Sequence, residues 1–376
     1  MLSRTAPRKF ATAKPEMNSI AVVTGPQPTP MTTIRHILAH VTARRDLSRD
    51  EARWTFEQIV SGKVEPAVLG ALLGAMATKG ECVDELVGAA QALRAAVTPV
   101  RCPPHAIDTC GTGGDGVSTF NVSTTAAIIA AAAGAVVAKH GNRSSTRASG
   151  STEVLVELGI DVEANVATVE RCLVDVGIGY LNARMLHPAM RHAAPVRQAL
   201  PMRTIFNLLG PLCNPAGVKR QLLGVPRPEL VPLMAEALLR LGVEHAWVVH
   251  GQGLCDLTVT GESVVSEVCD GAIRAFAVDP ESCGLHRAAL ADLCVASVKD
   301  SAAVVLDVLG GERGPRRDQA VLNAGAALVV ADMAHDLRDG IRRAEEAIDT
   351  GAAMKTLDRW RGSSYTGSAV DCQSPA

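Results

Sequence analysis

The first third of the chain carries apolar residues at helical spacing. One face of the first predicted helix is formed by apolar residues at positions i, i+3, i+4 and i+7, namely Ile34, Ile37, Leu38 and Val41. The run 47–51 resembles a helix cap. Further helices are predicted over 52–60, 69–76 and 83–96. Three prolines within 98–104 then interrupt the helical pattern, and we expect a hinge there.

Beyond residue 106, short apolar runs alternate with helical segments. Strands are predicted over 107–110, 135–138 and 246–250. Helices are predicted from a polar start near 121 to about 133, and over 154–158, 166–176, 230–241 and 316–332. Such alternation is typical of helices packed on a sheet. The predicted fold class is α/β with a small all-α N-terminal domain, and the large domain has a central mostly parallel sheet flanked by helices.

Domain bounds follow from the same patterns. We expect a helical domain over 31–100, with a contribution from a segment at about 184–215 that crosses back to it. An α/β domain is expected over 101–362, followed by a flexible polar tail over 363–376.

The N-terminal segment 1–30 differs from the rest of the chain. It is rich in Pro, Thr and Ala and carries four basic residues before its first acid, Glu16. A transit peptide has this charge pattern but also forms an amphipathic helix, which the segment lacks. We therefore expect a disordered extension, or a true start at Met17 or Met31.

Composition narrows the possible functions. The 376 residues are 47% hydrophobic and 3% aromatic, so the core must consist mainly of Ala, Val, Leu and Ile. A formal net charge of −2 gives no support for nucleic-acid binding. No apolar stretch reaches the roughly 20 residues that span a membrane. Ten cysteines occur without C-x-x-C spacing, which argues against a zinc ribbon and favours reduced thiols. We expect a cytoplasmic protein without nucleic-acid or membrane partners.

The run 108–151 carries the strongest functional signal. Its four glycines allow a turn whose amides surround an anion, and they lie at Gly111, Gly113, Gly114 and Gly116. Hydroxyl and amide side chains follow where a helix begins, and a helix N-terminus also favours negative charge. The next strand brings Lys139 toward its carboxyl end, where ligands bind in open α/β sheets. This order predicts a phosphate site.

Residues 111–116 also match the G-x-G-x-x-G dinucleotide fingerprint. That fingerprint expects an acid about 20 residues later, which binds a ribose diol. The next strand here ends in Lys139 and His140 instead. Because a cation suits a phosphate and not a diol, we discount nicotinamide binding. The P-loop pattern is absent from the sequence.

Three motifs together resemble the anthranilate phosphoribosyltransferase family. They are GTGGDG with STFNVST, the KHGNR turn, and HPAMRHAAPVR leading to RTIFNLLGPLCNP. The resemblance covers roughly residues 33 to 360. It implies transfer of a phosphoribosyl group from 5-phosphoribosyl 1-diphosphate to the amine of anthranilate, with Mg²⁺ and with release of diphosphate. It also implies tryptophan biosynthesis and a homodimer formed through the helical domain.

The resemblance assigns site residues as well. It implies no protein nucleophile, and it implies that four residues position the transition state: Asp115, Lys139, Asn142 and Arg197. Residues that would bind the donor are Gly111, Gly114, Asp115, Thr119, Asn121, Val122, Ser123, Thr124, Lys139, Gly141, Asn142, Arg143, Ser144, Ser145, Thr146, Arg147 and Ser151. Anthranilate would contact Gly111, His140, Asn142 and Arg197. The metal would be held by Ser123 and Asp256.

Some of these residues have a physical argument of their own. The Arg197 guanidinium suits a carboxylate because it pairs with one bidentately, although an interdomain ion pair is the alternative. Asn142 is equally suited to a left-handed turn position. We assign no catalytic role to His187 and expect Asn214 to be a structural hydrogen-bonding residue.

Three segments depart from the family pattern. Cys255 and Asp256 stand where the family carries an adjacent Asp-Glu pair that holds Mg²⁺. A thiol is a poor Mg²⁺ ligand, so the second metal site is in question, with Glu267 among the further candidates. Pro201 replaces a glycine, and Asn182 stands where the family usually has a phenylalanine in the pocket wall before the HPAM motif.

These departures leave other functions open. A phosphoribosyltransferase of the same fold with a different aromatic acceptor is one, and a non-catalytic phosphate- or nucleic-acid-binding relative is another. A third is the related pyrimidine nucleoside phosphorylase branch, whose lysine-and-glycine signature differs from the KHGNR turn of this chain.

Overall fold

Residues 33–143 and 150–365 are described by the computed structural model of the chain. The extension expected over 1–30, most of the expected tail and the predicted phosphate-loop residues 144–147 lie outside the described residues.

Four helices form the N-terminal bundle: α1 (Ile34–Thr42), α2 (Arg49–Val60), α3 (Pro66–Lys79) and α4 (Val83–Ala95). The predicted cap of α2 is confirmed, because the Glu51 amide donates to the Ser48 hydroxyl at 3.3 Å and the Ser48 amide donates to the Glu51 carboxylate at 2.9 Å. The Lys79 ammonium donates to Asp46 at 2.6 Å and to the buried Glu85 at 3.0 Å. These bonds fix the α3–α4 connection against the segment before α2.

A seven-stranded sheet forms the centre of the large domain. Its strands are β1 (Ile107–Gly111), β2 (Val137–Gly141), β3 (Ile178–Asn182), β4 (Arg220–Gly224), β5 (His245–Gly251), β6 (Ser263–Cys269) and β7 (Ala272–Val278). The spatial order is β3-β2-β1-β4-β5-β6-β7. The first five strands are parallel, and β6 and β7 pair antiparallel. The strand order reverses direction between β1 and β4, which makes this pair the topological switch point.

Within the described ranges, twelve helices cover and extend this sheet. They are α5 (Val122–Ala132), α6 (Ser151–Glu157), α7 (Val166–Asp175), α8 (Ala183–Leu186), α9 (Ala194–Ala199), α10 (Phe206–Leu212), α11 (Leu230–Arg240), α12 (Leu290–Leu293), α13 (Val298–Leu309), α14 (Pro315–Val330), α15 (Leu337–Asp349) and α16 (Ala352–Tyr365). Short 3-10 turns occur at Pro188–His192 and Glu281–Cys283.

The two faces of the sheet bury different layers. On one face, α5 packs against α14 within a core that includes Ile128, Leu322 and Trp360. On the other face, residues of α11 join the core of the N-terminal bundle. The helical bundle is therefore continuous with one layer of the α/β domain.

The crossover segment α8–α10 returns the chain to the bundle. Ala193, Ile205 and Phe206 are buried in the bundle core, and the Phe206 ring meets Phe56 edge-on at 5.5 Å between centroids. This packing joins the crossover to the helical bundle.

The predicted fold class is confirmed, with differences in detail. Strands β3, β4, β6 and β7 lack a distinctive sequence pattern and were not predicted. The boundary predicted for the tail, residue 363, is too early. Helix α16 continues to Tyr365, and the buried Ser364 hydroxyl accepts from the Asp161 amide at 3.1 Å. Within 33–143 and 150–365, no helix combines the length and apolar character needed to cross a membrane.

The carboxyl end of β4 lies directly beneath the chain that follows β5. A Cβ atom on Gly224 would lie 1.6 Å from the Cys255 carbonyl oxygen. The Thr112 amide, just after β1, donates to the Gly224 carbonyl at 2.9 Å. A glycine at this position therefore allows three segments to meet at the switch point.

We predict that Gly224→Ala lowers the free energy of unfolding by about 2–4 kcal/mol, because the backbone it meets cannot move without separating these segments. Gly362→Ala is the matched control, since nothing lies within 4 Å of its added Cβ in α16, and it should stabilise by up to about 1 kcal/mol. Denaturant unfolding measures both. If the two variants were equally stable, the backbone at Cys255 would move away from position 224 at little cost, and the prediction would be wrong.

Candidate active site

The candidate site lies where β1 and β4 end. Ligands of open α/β sheets bind outside the carboxyl ends of the strands, at the point where the strand order reverses. The loop from Gly111 to Phe120 starts at this point and leads into α5, whose N-terminus faces the same edge. The glycine-rich run and the switch point thus coincide.

A buried lysine occupies the centre of the site. The Lys139 side chain is 1% exposed, and its ammonium donates to the Thr109 carbonyl at 2.8 Å and to the Ser123 hydroxyl at 3.2 Å. Burial lowers its pKa, and the charges of Asp108 and Asp256 oppose that shift. Both hydrogen-bond acceptors are neutral. Among the described residues no carboxylate forms an ion pair with this ammonium, so its charge remains available to an anion.

Asp108 fixes the position of β2 beneath this lysine. One carboxylate oxygen accepts from the His140 amide at 3.1 Å and the other from the Asn214 side chain at 2.8 Å. Burial raises the pKa of Asp108, and the bond from Asn214 and the charge of Lys139 oppose the shift. The expectation that Asn214 is structural agrees with these bonds.

The start of α5 presents hydroxyls without partners. Asn121 caps the helix by accepting from the Thr124 amide at 3.1 Å. The hydroxyl oxygens of Thr119 and Thr124 are buried and have no hydrogen-bond partner among residues 33–143 and 150–365. A buried unpaired polar group costs about 1–3 kcal/mol, which a ligand oxygen would recover. The Val122 amide, in contrast, already donates to the Phe120 carbonyl at 2.8 Å.

The glycine turn is held from two sides. Gly113, Gly114 and Gly116 have positive φ, at 64°, 85° and 74°. The Cys255 amide donates to the Asp115 carboxylate at 3.1 Å. On the other side, the guanidinium of Arg203 donates to the Gly113 carbonyl at 2.9 Å. We did not single out Arg203 from the sequence, because nothing local marks its contact with a turn ninety residues away.

A pair of buried histidines lies beyond the lysine. The Nε2 atoms of His140 and His187 are 3.1 Å apart, and the His140 ring also bonds to the Gly210 backbone. Burial lowers the pKa of His140 to about 3 and that of His187 to about 4. Both rings are therefore neutral near pH 7 and share one proton in their contact. The sequence suggested no role for His187, but the structure makes it the partner of His140.

Arg197 and Asn142 are two of the residues predicted to bind the acceptor. The Arg197 guanidinium lies 4.9 Å from the centre of the Phe206 ring, and burial lowers its pKa. No ion pair joins it to an acid in the described part of the chain, so the interdomain ion pair considered above is absent there. Asn142 does not adopt positive φ, and its side chain accepts from the Arg143 amide at 2.8 Å.

The predicted metal residues share one cavity. Ser123 and Asp256 line it together with Thr109, Cys110 and Cys255. Glu267 is wrong as a further metal candidate, because it hydrogen-bonds Trp247 and His245 near the amino end of β5. The cavity thus combines oxygen donors and two thiols with apolar residues, among them Ala126, Leu222 and Val249.

The other departures have structural explanations. The Asn182 side chain donates to the Val162 carbonyl at 2.9 Å and accepts from the Arg184 amide at 3.1 Å, so it caps α8 rather than forming a free wall. Pro201 follows Leu200, which is extended at φ −89° and ψ 118° as a residue before proline requires. Ser151 begins α6, with Gly150 as its N-cap residue.

Fold and site together define a two-domain protein, a helical bundle joined to an α/β domain, with a glycine-rich turn and a buried lysine at the switch point of its sheet. The helical-bundle domain model of the glycosyl transferase family matches residues 35–97, and the a/b domain model of that family matches residues 103–354. The chain belongs to this family, among the anthranilate phosphoribosyltransferases.

Curated relatives and solved structures support this placement. An anthranilate phosphoribosyltransferase of Anaeromyxobacter dehalogenans (strain 2CP-C) is 50% identical over 86% of this chain and 96% of its own length, and that of Rubrobacter xylanophilus is 48% identical over 87% and 96%. The crystal structure of the Thermus thermophilus enzyme superposes with a TM-score of 0.83 at 41% identity, covering 87% of this chain and 99% of that one. The Saccharomyces cerevisiae enzyme in complex with PRPP and Mg gives 0.81 at 27% identity, covering 89% and 98%.

The histidine pair makes stability depend on pH. The folded-state pKa values of both histidines lie below the ordinary 6.5, so the unfolded chain binds protons more readily than the folded one. The contribution of the pair to stability is therefore complete above pH 6.5 and is lost as the pH falls toward about 4. Each histidine should contribute a slope approaching about 1.4 kcal/mol per pH unit. We predict that His187→Asn removes about half of the pair's slope in unfolding free energy.

Denaturant unfolding across this pH range measures the slope. His286→Asn, at an exposed position, is the control and should leave it unchanged. A slope in His187→Asn equal to that of the unsubstituted chain would contradict the assignment.

Proposed function

We propose that this chain is an anthranilate phosphoribosyltransferase, which transfers the phosphoribosyl group of 5-phosphoribosyl 1-diphosphate (PRPP) to the amine of anthranilate in tryptophan biosynthesis. The observation that carries the proposal is the buried Lys139 ammonium, which lacks a carboxylate partner among the described residues and lies beside the N-terminus of α5. The family membership and the shared fold support it.

The donor is proposed to occupy the glycine turn. Its diphosphate would meet the Lys139 ammonium and the unpartnered hydroxyls of Thr119 and Thr124. Asp115 holds the turn against the Cys255 amide, which orients the turn amides toward the ligand. Ser151 and the 141–147 loop would complete the phosphate contacts, as the family resemblance implies.

The acceptor is proposed to bind on the crossover side. The Arg197 guanidinium would pair with the anthranilate carboxylate, since it is partly buried and forms no ion pair within the described residues. The neutral ring of His140 and the amide of Asn142 would line the pocket without adding charge beside the reacting amine.

The reaction requires no protein nucleophile. The amine nitrogen forms a bond to the anomeric carbon as the carbon–oxygen bond to diphosphate breaks, and the amine loses its proton to solvent. The protein contributes positioning of both substrates and stabilisation of the departing negative charge. Lys139 is placed to supply that stabilisation.

The site residues are compatible with Mg²⁺. The Ser123 hydroxyl and the Asp256 carboxylate line one cavity, and hard oxygen ligands are those Mg²⁺ prefers. Ser123 accepts from Lys139 and keeps a second lone pair. When bound, Mg²⁺ would neutralise diphosphate oxygens.

The test of the proposed function follows anthranilate fluorescence in the purified protein with PRPP and Mg²⁺. A steady loss that requires all three components supports the proposal. If PRPP binds by calorimetry without any loss of fluorescence, the acceptor is a different aromatic acid. If PRPP also fails to bind, the chain is a non-catalytic relative. The proposed homodimer is tested separately by light scattering.

We predict that Arg197→Ala raises the KM for anthranilate at least about tenfold and leaves the KM for PRPP within about threefold, because a charge-assisted carboxylate contact is worth roughly 1.5–3 kcal/mol. Arg197→Lys should fall between, as it keeps the charge but loses the bidentate geometry. Initial rates measure both constants. Exposed Arg191 on the same crossover supplies the control variant Arg191→Ala. Equal effects on both substrates would refute the assignment.

We predict that Cys255→Asp tightens Mg²⁺ binding in the presence of diphosphate about tenfold, because a carboxylate replaces a soft thiol beside Asp256. Calorimetric titration with Mg²⁺ measures the dissociation constant independently of turnover. Cys255→Ser, which removes the thiol without adding charge, is the control and should change it little. An unchanged constant in Cys255→Asp would mean that this side chain does not face the metal.

A further inference from the structure

Arg203 reaches from the crossover into the glycine turn. It lies between α9 and α10, where the neighbouring Thr204 amide donates to the Asn207 side chain at 2.9 Å and Ile205 is fully buried in the core shared with the bundle. The base of this side chain is therefore anchored on the helical side of the molecule. Its tip lies on the α/β side.

The contact with the turn is close and specific. The Nη1 atom of Arg203 donates to the Gly113 carbonyl at 2.9 Å. A Cβ atom on Gly114 would lie 1.6 Å from that same nitrogen. The guanidinium thus lies directly against the turn, and a side chain at position 114 would displace it.

The second terminal nitrogen is left without a partner. Arg203 Nη2 is shielded from solvent and has no hydrogen-bond acceptor in the part of the chain that the structure describes. No ion pair joins Arg203 to an acid in the described ranges, and burial lowers its pKa. A buried donor of a charged group that lacks an acceptor is costly, and the charge favours an anionic ligand at the turn.

We propose that Arg203 is a positioning residue for the donor: it fixes the glycine turn through the Gly113 carbonyl and offers its Nη2 hydrogens to an oxygen of the diphosphate. The inference rests on the proposed function for the identity of this anion. Arg203 thereby joins the turn to the crossover that carries Arg197, so one segment serves both substrates.

The test uses inorganic diphosphate as the probe, titrated with Mg²⁺ present, by calorimetry. Arg203→Met keeps the side-chain bulk and removes all N–H donors, and it should weaken diphosphate binding about 10- to 100-fold, as one or two charge-assisted hydrogen bonds are lost. Arg203→Lys should recover part of the loss, since it restores a charge without the fork geometry.

Arg227→Met is the matched control, because it removes one positive charge close enough to influence the pKa of Arg203 without touching the turn. It should change diphosphate affinity less than about threefold, as expected of an exposed charge. In steady-state kinetics, Arg203→Met should raise the KM for PRPP by more than that for anthranilate. Amide hydrogen exchange in 112–116 should also become faster.

The outcomes separate the two proposals. Unchanged diphosphate affinity in Arg203→Met overturns the inference, whatever its stability. Suppose that Arg203→Met weakens diphosphate binding while the unsubstituted chain never consumes anthranilate. The inference about Arg203 is then supported, and anthranilate is not the acceptor. If the unsubstituted chain does not bind diphosphate, both the proposed function and the role proposed for Arg203 are contradicted.

Discussion

The buried ammonium of Lys139 is the constraint on which the chemistry of the candidate site depends. It lies in the middle of β2 at 1% exposure, and among the described residues it donates hydrogen bonds to two neutral oxygens, the Thr109 carbonyl and the Ser123 hydroxyl, with the charges of Asp108 and Asp256 near enough to act on its pKa. Removing a charge from water is expensive unless another charge compensates for it. The positive end of the α5 dipole adds to the same potential. The unliganded site therefore holds an ammonium that is not ion-paired within the described residues, and its stability and its affinity for an anion are linked.

Local sequence predicted the parts of the molecule whose causes are local. The Ser48–Glu51 cap, the positive-φ glycines and the Asn121 cap each depend on residues within a few positions of one another. The α/β class followed from alternating apolar runs. The phosphate site followed because the turn, the helix start and Lys139 are close in sequence. The resemblance to a family then supplied the substrates, which hydrophobic pattern and spacing do not encode.

The remaining features arise from distant contacts that leave no local pattern. Arg203 meets Gly113, and His187 meets His140, only after the crossover has packed on the bundle. Asn182 looked like an altered pocket wall, whereas its amide bonds the Val162 carbonyl and caps a short helix. The β6–β7 hairpin extends the sheet by antiparallel pairing that periodicity did not distinguish from a loop. In each case the missing information is which segment lies opposite, and that is fixed by tertiary packing.

The most direct measurement of the central claim compares Lys139→Met with the unsubstituted chain in two experiments, PRPP binding by calorimetry and unfolding in the absence of ligand. If the ammonium exists to bind an anion, affinity for PRPP should fall about 100-fold or more, while the free energy of unfolding changes by less than about 2 kcal/mol, because relief of a buried charge is offset by the lost interaction with the charges of Asp108 and Asp256. Unchanged affinity together with a loss of several kcal/mol of stability would contradict the account and make Lys139 a structural residue.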